Sequence, residues 1–247
     1  MNAYNIKKDL SGMTLVIPDK SDIERDAVAK AWEKYGGRVI RIDRFWDPPQ
    51  IESQNVRLYG NHIFCLVLAQ KLNLELVSPP DDVLTKISEK WLKRTLEIST
   101  LSECEKITYP CFIKPVAPKV FAAKRYLSYS ELLEECKQLD YDTPVIVSDI
   151  IEIESEVRAF ILNKDICTTS IYEGSADINE AETFLEEFIN SNFYVLPKTC
   201  VVDIGYISGR GWAVIEANAV WGAGLNGCDP LLAAMCIVEA TKIIGGE

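Results

Sequence analysis

Residues 201–226 constrain this chain more than any other stretch. They read VVDIGYISGRGWAVIEANAVWGAGLN, with two β-like runs flanking the turn Ser208-Gly209-Arg210-Gly211. The first run carries Asp203, the second Glu216 and Asn218. Side chains on a strand repeat every second residue, so Glu216 and Asn218 share a face. A hairpin brings Asp203 beside them. Two carboxylates and an amide oxygen on one sheet face make a hard-oxygen site, suited to Mg²⁺ carrying a nucleotide phosphate. The plain alternative is a hairpin with a solvated outer face. The apolar run around Glu216 and Asn218 favours the metal site, because unpaired polar groups are costly there. A glycine-rich segment follows, where backbone can approach a ligand closely.

The remaining composition narrows the setting. A chain of 247 residues fits one large domain or a few small lobes. Its net charge of −11 argues against broad nucleic-acid binding, which needs a basic footprint. Local Lys and Arg residues can still bind phosphate. The eight cysteines (65, 104, 111, 136, 167, 200, 228 and 236) form no C-x-x-C pair, which favours reduced thiols in a cytoplasm over a disulfide framework or a zinc site. The opening residues MNAYNIKKDLSGM lack the apolar core of a signal peptide, and no apolar run approaches the roughly 18 residues of a membrane span. The one histidine, His62, cannot build a histidine-based metal cluster.

Read in order, residues 14–17 form a short strand ended by Pro18. A helix starts at Ser21-Asp22-Ile23-Glu24, with Ser21 as cap and Glu24 three residues on, and stops at Gly36-Gly37. Residues 38–43 alternate as a strand, which makes a small α/β lobe. Residues 62–72 read as a buried helix and 74–77 as a strand. The run Ser78-Pro79-Pro80-Asp81-Asp82 breaks the chain and caps a helix over 83–98 that carries Lys86, Lys90, Lys93 and Arg94. Most of these cations read as a solvated face, with one available to a phosphate.

Residues 109–115 form a strand in which Lys114 sits in an apolar context, so a phosphate is a reasonable partner for its ammonium. Residues 116–125, with Lys119, Lys124 and Arg125, read as a flap over phosphates or as an ordinary basic turn. The flap contains no glycine. A helix over 128–139 is capped by Ser128, and strands follow over 143–151, 157–162 and 166–171. Glu156 and Arg158 face the same way, suited to a ribose hydroxyl and to phosphate oxygens, or to a cross-strand salt bridge. Helices over 178–191 and 229–244 complete the chain, the last ended by Gly245-Gly246.

The order Phe112-Ile113-Lys114-Pro115, Val147-Ser148-Asp149-Ile150-Ile151, Glu156-x-Arg158, Asp203 and Glu216-x-Asn218 resembles the ATP-grasp superfamily. The resemblance covers roughly residues 83 to 247, and the N-terminal α/β lobe looks like the domain that usually precedes an ATP-grasp fold. Trp212-x-x-Ile215-Glu216-Ala217-Asn218 and Trp221-Gly222-Ala223-Gly224-Leu225 look closest to the branch named for two arginines and a lysine. The resemblance implies an α/β protein of three parts: a pre-ATP-grasp lobe over 1–80, a small subdomain over 81–150, and a metal-bearing subdomain over 151–247.

By the same resemblance, Lys114 contacts the α-phosphate and adenine side of ATP. Asp149, Ile150 and Ile151 form the hinge that reads adenine, and Glu156 holds the ribose. Asp203, Glu216 and Asn218 hold Mg²⁺, and Arg158 neutralises the transferring phosphoryl group. Lys93 or Lys86 matches the family's other ATP lysine. Trp221 and Asn226 lie where substrate contacts are expected.

The implied activity is ATP-dependent carboxylate–amine ligation on small-molecule or peptide substrates, without nucleic acid or membrane. Two departures keep other readings open. The flap lacks glycines, and Val201 stands where typical ligases carry an arginine. Phosphoryl transfer without amide formation, or nucleotide binding without catalysis, are the alternatives.

Overall fold

A computed structural model describes residues 9–51 and 55–244. Strand β1 (Thr14–Pro18) is buried through its centre and is followed by helix α1 (Ile23–Lys34), which sends Val28, Ala29 and Trp32 into the core. The helix is capped by Asp22, whose Oδ1 accepts from the Arg25 amide at 2.9 Å. Ser21, the expected cap, instead donates its hydroxyl to Asp26. Strands β2 (Arg38–Ile42) and β3 (Val56–Leu58) pair parallel to β1 on either side, in the order β2-β1-β3. Helix α2 (His62–Leu72), capped by Asn61, and strand β4 (Leu74–Leu76) follow.

The helix expected over 83–98 does not form. The segment holds a 3-10 turn at Val83–Lys86, a single helical turn α3 (Glu89–Leu92), and strand β5 (Leu96–Thr100). Lys93 ends α3 in the left-handed region, with φ 53°. The Thr95 amide is then held by Asp149 at 3.1 Å, and β5 pairs antiparallel with a strand about fifty residues on. The apolar residues Val83, Leu84, Ile87, Trp91 and Leu92 still bury together, in one core. Tertiary pairing overrides the helical spacing.

Strands β6 (Cys111–Pro115) and β7 (Lys124–Tyr126), helix α4 (Tyr129–Glu135) and strand β8 (Pro144–Ser148) complete an antiparallel sheet ordered β5-β8-β6-β7. Ser128 caps α4 as expected, accepting from the Glu131 amide at 3.3 Å. The helix ends at Glu135, short of the expected 139.

Strands β9 (Ile153–Leu162) and β10 (Asp165–Glu173), helix α5 (Ile178–Asn192), and strands β11 (Thr199–Ile207) and β12 (Gly211–Asn218) build the second four-stranded sheet, ordered β10-β9-β11-β12. Its two faces are chemically distinct. Val157, Ala159, Ile161, Cys200, Val202 and Ile204 meet Ala181, Leu185, Phe188 and Ile189, the apolar stripe of α5. Phe160, Leu162 and Val201 face the other way, into the core shared with β1, α1 and α2. Arg158 and Asp203 lie on that second face by strand alternation.

Helix α6 (Pro230–Val238) is shorter than the expected 229–244. Its apolar run continues as strand β13 (Thr241–Ile243), paired antiparallel with β4. The expected Gly245-Gly246 end lies outside the described residues. Among the described residues no helix is long and apolar enough to cross a membrane.

Candidate functional site

The hairpin β11–β12 is not regular. From the turn, Ile207 faces Gly211, Tyr206 faces Trp212, Gly205 faces Ala213 and Ile204 faces Val214. The next pair is Asp203 with Glu216, so Ile215 is an extra residue on β12, a β-bulge. Val201 then faces Asn218. Residues opposite each other share a face, so Asp203, Glu216 and Asn218 converge. The Asn218 amide nitrogen donates to Asp203 Oδ2 at 3.2 Å and to Glu216 Oε2 at 3.1 Å.

Asp203 is 3% exposed and is held across β9–β11 by Arg158. Arg158 Nε donates to Oδ1 at 2.8 Å and Nη2 to Oδ2 at 2.7 Å, a two-point charged pair. The third donor, Nη1, bonds the Gly224 carbonyl at 2.8 Å. Burial raises the Asp203 carboxyl above the ordinary carboxylate range, and the Glu216 charge adds to this against the pull of Arg158. Burial alone would lower the Arg158 guanidinium, but the Asp203 bonds and charge more than offset it.

Beside this pair opens a cavity of about 580 Å³, within the roughly 300–1,000 Å³ of small-molecule sites. Lys114, Lys119, Arg158, Glu216 and Asn218 line it, with the apolar walls Val83, Leu84, Val116 and Phe121. Lys114 Nζ lies 4.0 Å from Glu216 Oε1. Asn61, His62, Ser78 and Asp81 line it as well. Burial and the nearby Lys119 charge lower the His62 pKa, and its ring lies 5.7 Å from that of Trp221.

The other expected residues fall at varying distances from the cavity. Trp221 lines it, and its indole donates to Ser78 Oγ at 3.1 Å. Asp149, Ile150 and Ile151 form the connector between β8 and β9, outside the lining. Glu156 lies on the Arg158 face and accepts the Tyr172 hydroxyl. Lys93 contributes its carbonyl to Arg210 at 2.9 Å, while Lys86 pairs with Asp82 at 2.7 Å. Neither lysine lines the cavity. In the flap, Lys119 reaches the cavity, whereas Lys124 turns back to Glu131 and Glu135. Asn226 offers its backbone amide to Glu24 Oε1 at 2.7 Å.

Two residues of this region were not singled out from the sequence. Glu24, on α1, accepts from the amides of both Leu225 and Asn226. It reads as a partner of the helix cap, and no local signal points to a contact about two hundred residues away. Arg94 reads as one more surface cation but is buried. Its signal is the break after Leu92, beyond which the chain alternates as a strand.

Among the described residues no group of three or more His, Cys, Asp or Glu is placed to hold a metal. A cation here would rest on two carboxylates and one amide. The donor set fits Mg²⁺: the Asn218 amide already meets both carboxylates, and half a turn of it would present Oδ1 at that point. The cations along the cavity suit a phosphate chain.

Comparison with known proteins gives a consistent picture. The fold resembles an ATP-grasp RimK domain protein from Sphaerobacter thermophilus DSM 20745, with TM-score 0.59 and 14% identity over 94% of this chain and 100% of that one. It resembles macrocyclase MdnC from Microcystis aeruginosa MRC, bound with precursor peptide MdnA, with TM-score 0.54 and 13% identity over 95% and 100% of the chains. It also resembles D-alanine–D-alanine ligase from Bacillus anthracis, with TM-score 0.53 and 12% identity over 92% and 96%. No curated protein sequence is matched. The family model for the ATP-grasp domain, family 2 of the clade named for two arginines and a lysine, matches residues 91–236, more than half of the chain. With that match and an α/β fold of this architecture, the chain belongs to the two-arginine, one-lysine clade of the ATP-grasp proteins.

Proposed function

We propose that this protein is an ATP- and Mg²⁺-dependent ligase that joins a carboxylate to an amine through an acyl phosphate. The observation that carries this reading is the meeting of Glu216 and Asn218, which line a cavity that also holds Lys114 and Arg158, with Asp203, buried beside them outside the lining. Mg²⁺ held by those three oxygen-bearing residues would supply charge neutralisation to the phosphate oxygens.

Lys114 binds the phosphate chain, released from its loose contact with Glu216. Arg158 neutralises charge gathering on the transferring phosphoryl group, and its bonds to Asp203 and Gly224 fix it in place beforehand. The Asp149–Ile151 connector reads adenine by backbone, and Glu156 takes the ribose once Tyr172 yields. Trp221 bounds the substrate end. The substrate carboxylate attacks the γ-phosphate and ADP leaves. An amine then attacks the acyl carbon, and phosphate leaves as the amide forms. Positioning carries most of such a reaction.

The family match and the similar folds described as a D-alanine–D-alanine ligase and a peptide-bound macrocyclase support amide formation on small or peptide substrates. Eight buried free thiols support a reducing compartment, the cytoplasm. The test is ADP release from Mg·ATP with paired panels of amino acids and short peptides. Release that requires both a carboxylate and an amine, with a new amide found by mass, supports ligation. A stable phosphorylated product would replace it with phosphoryl transfer.

A second reading rests on Val201. It is fully buried in the core facing α6, so β11 sends no cation toward the cavity at that position. Tight Mg·ATP binding without turnover across the panels would make the chain a nucleotide-binding module.

A further inference from the structure

Arg94 is 9% exposed and has no carboxylate within salt-bridge distance among the described residues. A buried guanidinium is costly unless its donors are satisfied. Here carbonyls do so. Nη1 donates to Leu92 O at 3.0 Å and Val214 O at 2.9 Å, and Nη2 to Ile215 O at 3.3 Å.

Val214 and Ile215 are the residues at which the β11–β12 register breaks. A bulge disrupts the ladder locally and leaves backbone groups in want of partners. Arg94 supplies donors to two carbonyls at that point. The opposite strand makes room for the extra residue at Gly205, where an added Cβ would lie 3.1 Å from Ile215 Cγ1 and 2.7 Å from Ile153 Cγ2.

The bulge decides where the oxygen ligands point. Continued from the turn without it, the register would place Ile215 opposite Asp203 and Glu216 opposite Val202. Val202 faces the α5 core. A slip of one residue moves a whole set of side chains to the other face. Glu216 and Asn218 would turn into that apolar layer, and the convergence with Asp203 would be lost.

The segment bearing Arg94 is itself tied down. Arg210, in the hairpin turn, donates to the Lys93 carbonyl at 2.9 Å, and the Thr95 amide bonds Asp149 in the β8–β9 connector at 3.1 Å. We propose that Arg94 is a positioning residue: it holds the Ile215 bulge and so sets Glu216 and Asn218 on the Asp203 face of the hairpin. That this face binds Mg·ATP rests on the function proposed above; the register claim does not.

Disulfide trapping tests the register without nucleotide or metal. Cross-strand neighbours lie within bridging range, whereas residues on opposite faces do not. In the parent background, oxidised Asp203→Cys/Glu216→Cys protein should cross-link and Val202→Cys/Glu216→Cys should not. Adding Arg94→Met should lower the first yield by about tenfold or more and raise the second, as expected for losing several hydrogen bonds to a charged group. Arg94→Gln should act in the same direction, and it provides the comparison if Arg94→Met does not fold.

Deleting Ile215 in the Arg94→Met background removes the extra residue and should restore the Asp203→Cys/Glu216→Cys cross-link, a rescue that a generally destabilised core would not show. Unchanged trapping in the folded Arg94 variants, or failure of the parent pair to cross-link, would overturn the proposal.

Discussion

Arg158 and Asp203 face each other across β9 and β11 with both carboxylate oxygens engaged, at 2.8 and 2.7 Å. Each is satisfied largely by the other, so removing one leaves a buried charge without its partner. Arg158→Ala should destabilise the fold by about 3–5 kcal/mol, read from urea denaturation. Arg158→Lys keeps the charge but not the two-point geometry and should recover only part of that loss. Equal stability in all three proteins would contradict the pairing.

Glu24 joins α1 to the loop that Arg158 holds from the other side. Its carboxylate accepts from Leu225 N at 2.9 Å and Asn226 N at 2.7 Å. Glu24→Ala should cost about 1.5–3 kcal/mol by loss of bonds to a charged acceptor. Gly224→Ala should have a related effect by a different route, because a Cβ there would lie 2.6 Å from Glu24 Oε2 and displace the carboxylate. The two changes together should cost about 1 kcal/mol less than their sum. Additive losses would show that Gly224 is constrained by something else.

Asp26 gives a pH signature. Its carboxyl is lowered to about 2 by the Ser21 hydroxyl bond and then by Arg41. A depressed carboxyl contributes stability above its unfolded pKa and loses it as pH falls through the folded one. The stability difference between wild type and Asp26→Asn should therefore hold steady above about pH 5, shrink as the pH falls through the folded value of about 2, and vanish only below it. Urea midpoints across that range check it, and a gap that widens in acid would refute it.

The cysteines should be slow to react. Burial pushes Cys104 up to about 11 and Cys200 and Cys228 up to about 12. Iodoacetamide at mildly alkaline pH should leave the native protein nearly unlabelled and modify all eight thiols in urea, counted by mass. Cys167 should label first, since the neighbouring free Cys236 thiol lowers its own.

Much of the hairpin was legible because strand alternation is local. Glu216-x-Asn218 within an apolar run announces a shared face, and Asp203 lies one turn away along the chain. The bulge was not legible. Nothing in Trp212-Ala213-Val214-Ile215 marks Ile215 as the extra residue, because that depends on the room beside Gly205 on the other strand and on Arg94, far away in sequence. The segment 83–98 misled for a related reason: Val83, Leu84, Ile87, Trp91 and Leu92 have helical spacing and do bury together, but the chain reaches that core in two short turns. At the C-terminal end, the pairing of Thr241–Ile243 with β4 joins segments far apart in sequence. Helix periodicity contains no trace of it.

We propose Asp203, Glu216 and Asn218 as the metal end of a nucleotide site. Calorimetric titration with the nonhydrolysable analogue AMP-PNP tests it most directly, using wild type with Mg²⁺, wild type with EDTA, and Glu216→Ala with Mg²⁺. Binding is expected in the first case, with affinity weaker by about tenfold or more in the other two. Equal affinity in all three, or no binding of Mg·AMP-PNP to the wild type at millimolar concentration, would contradict it.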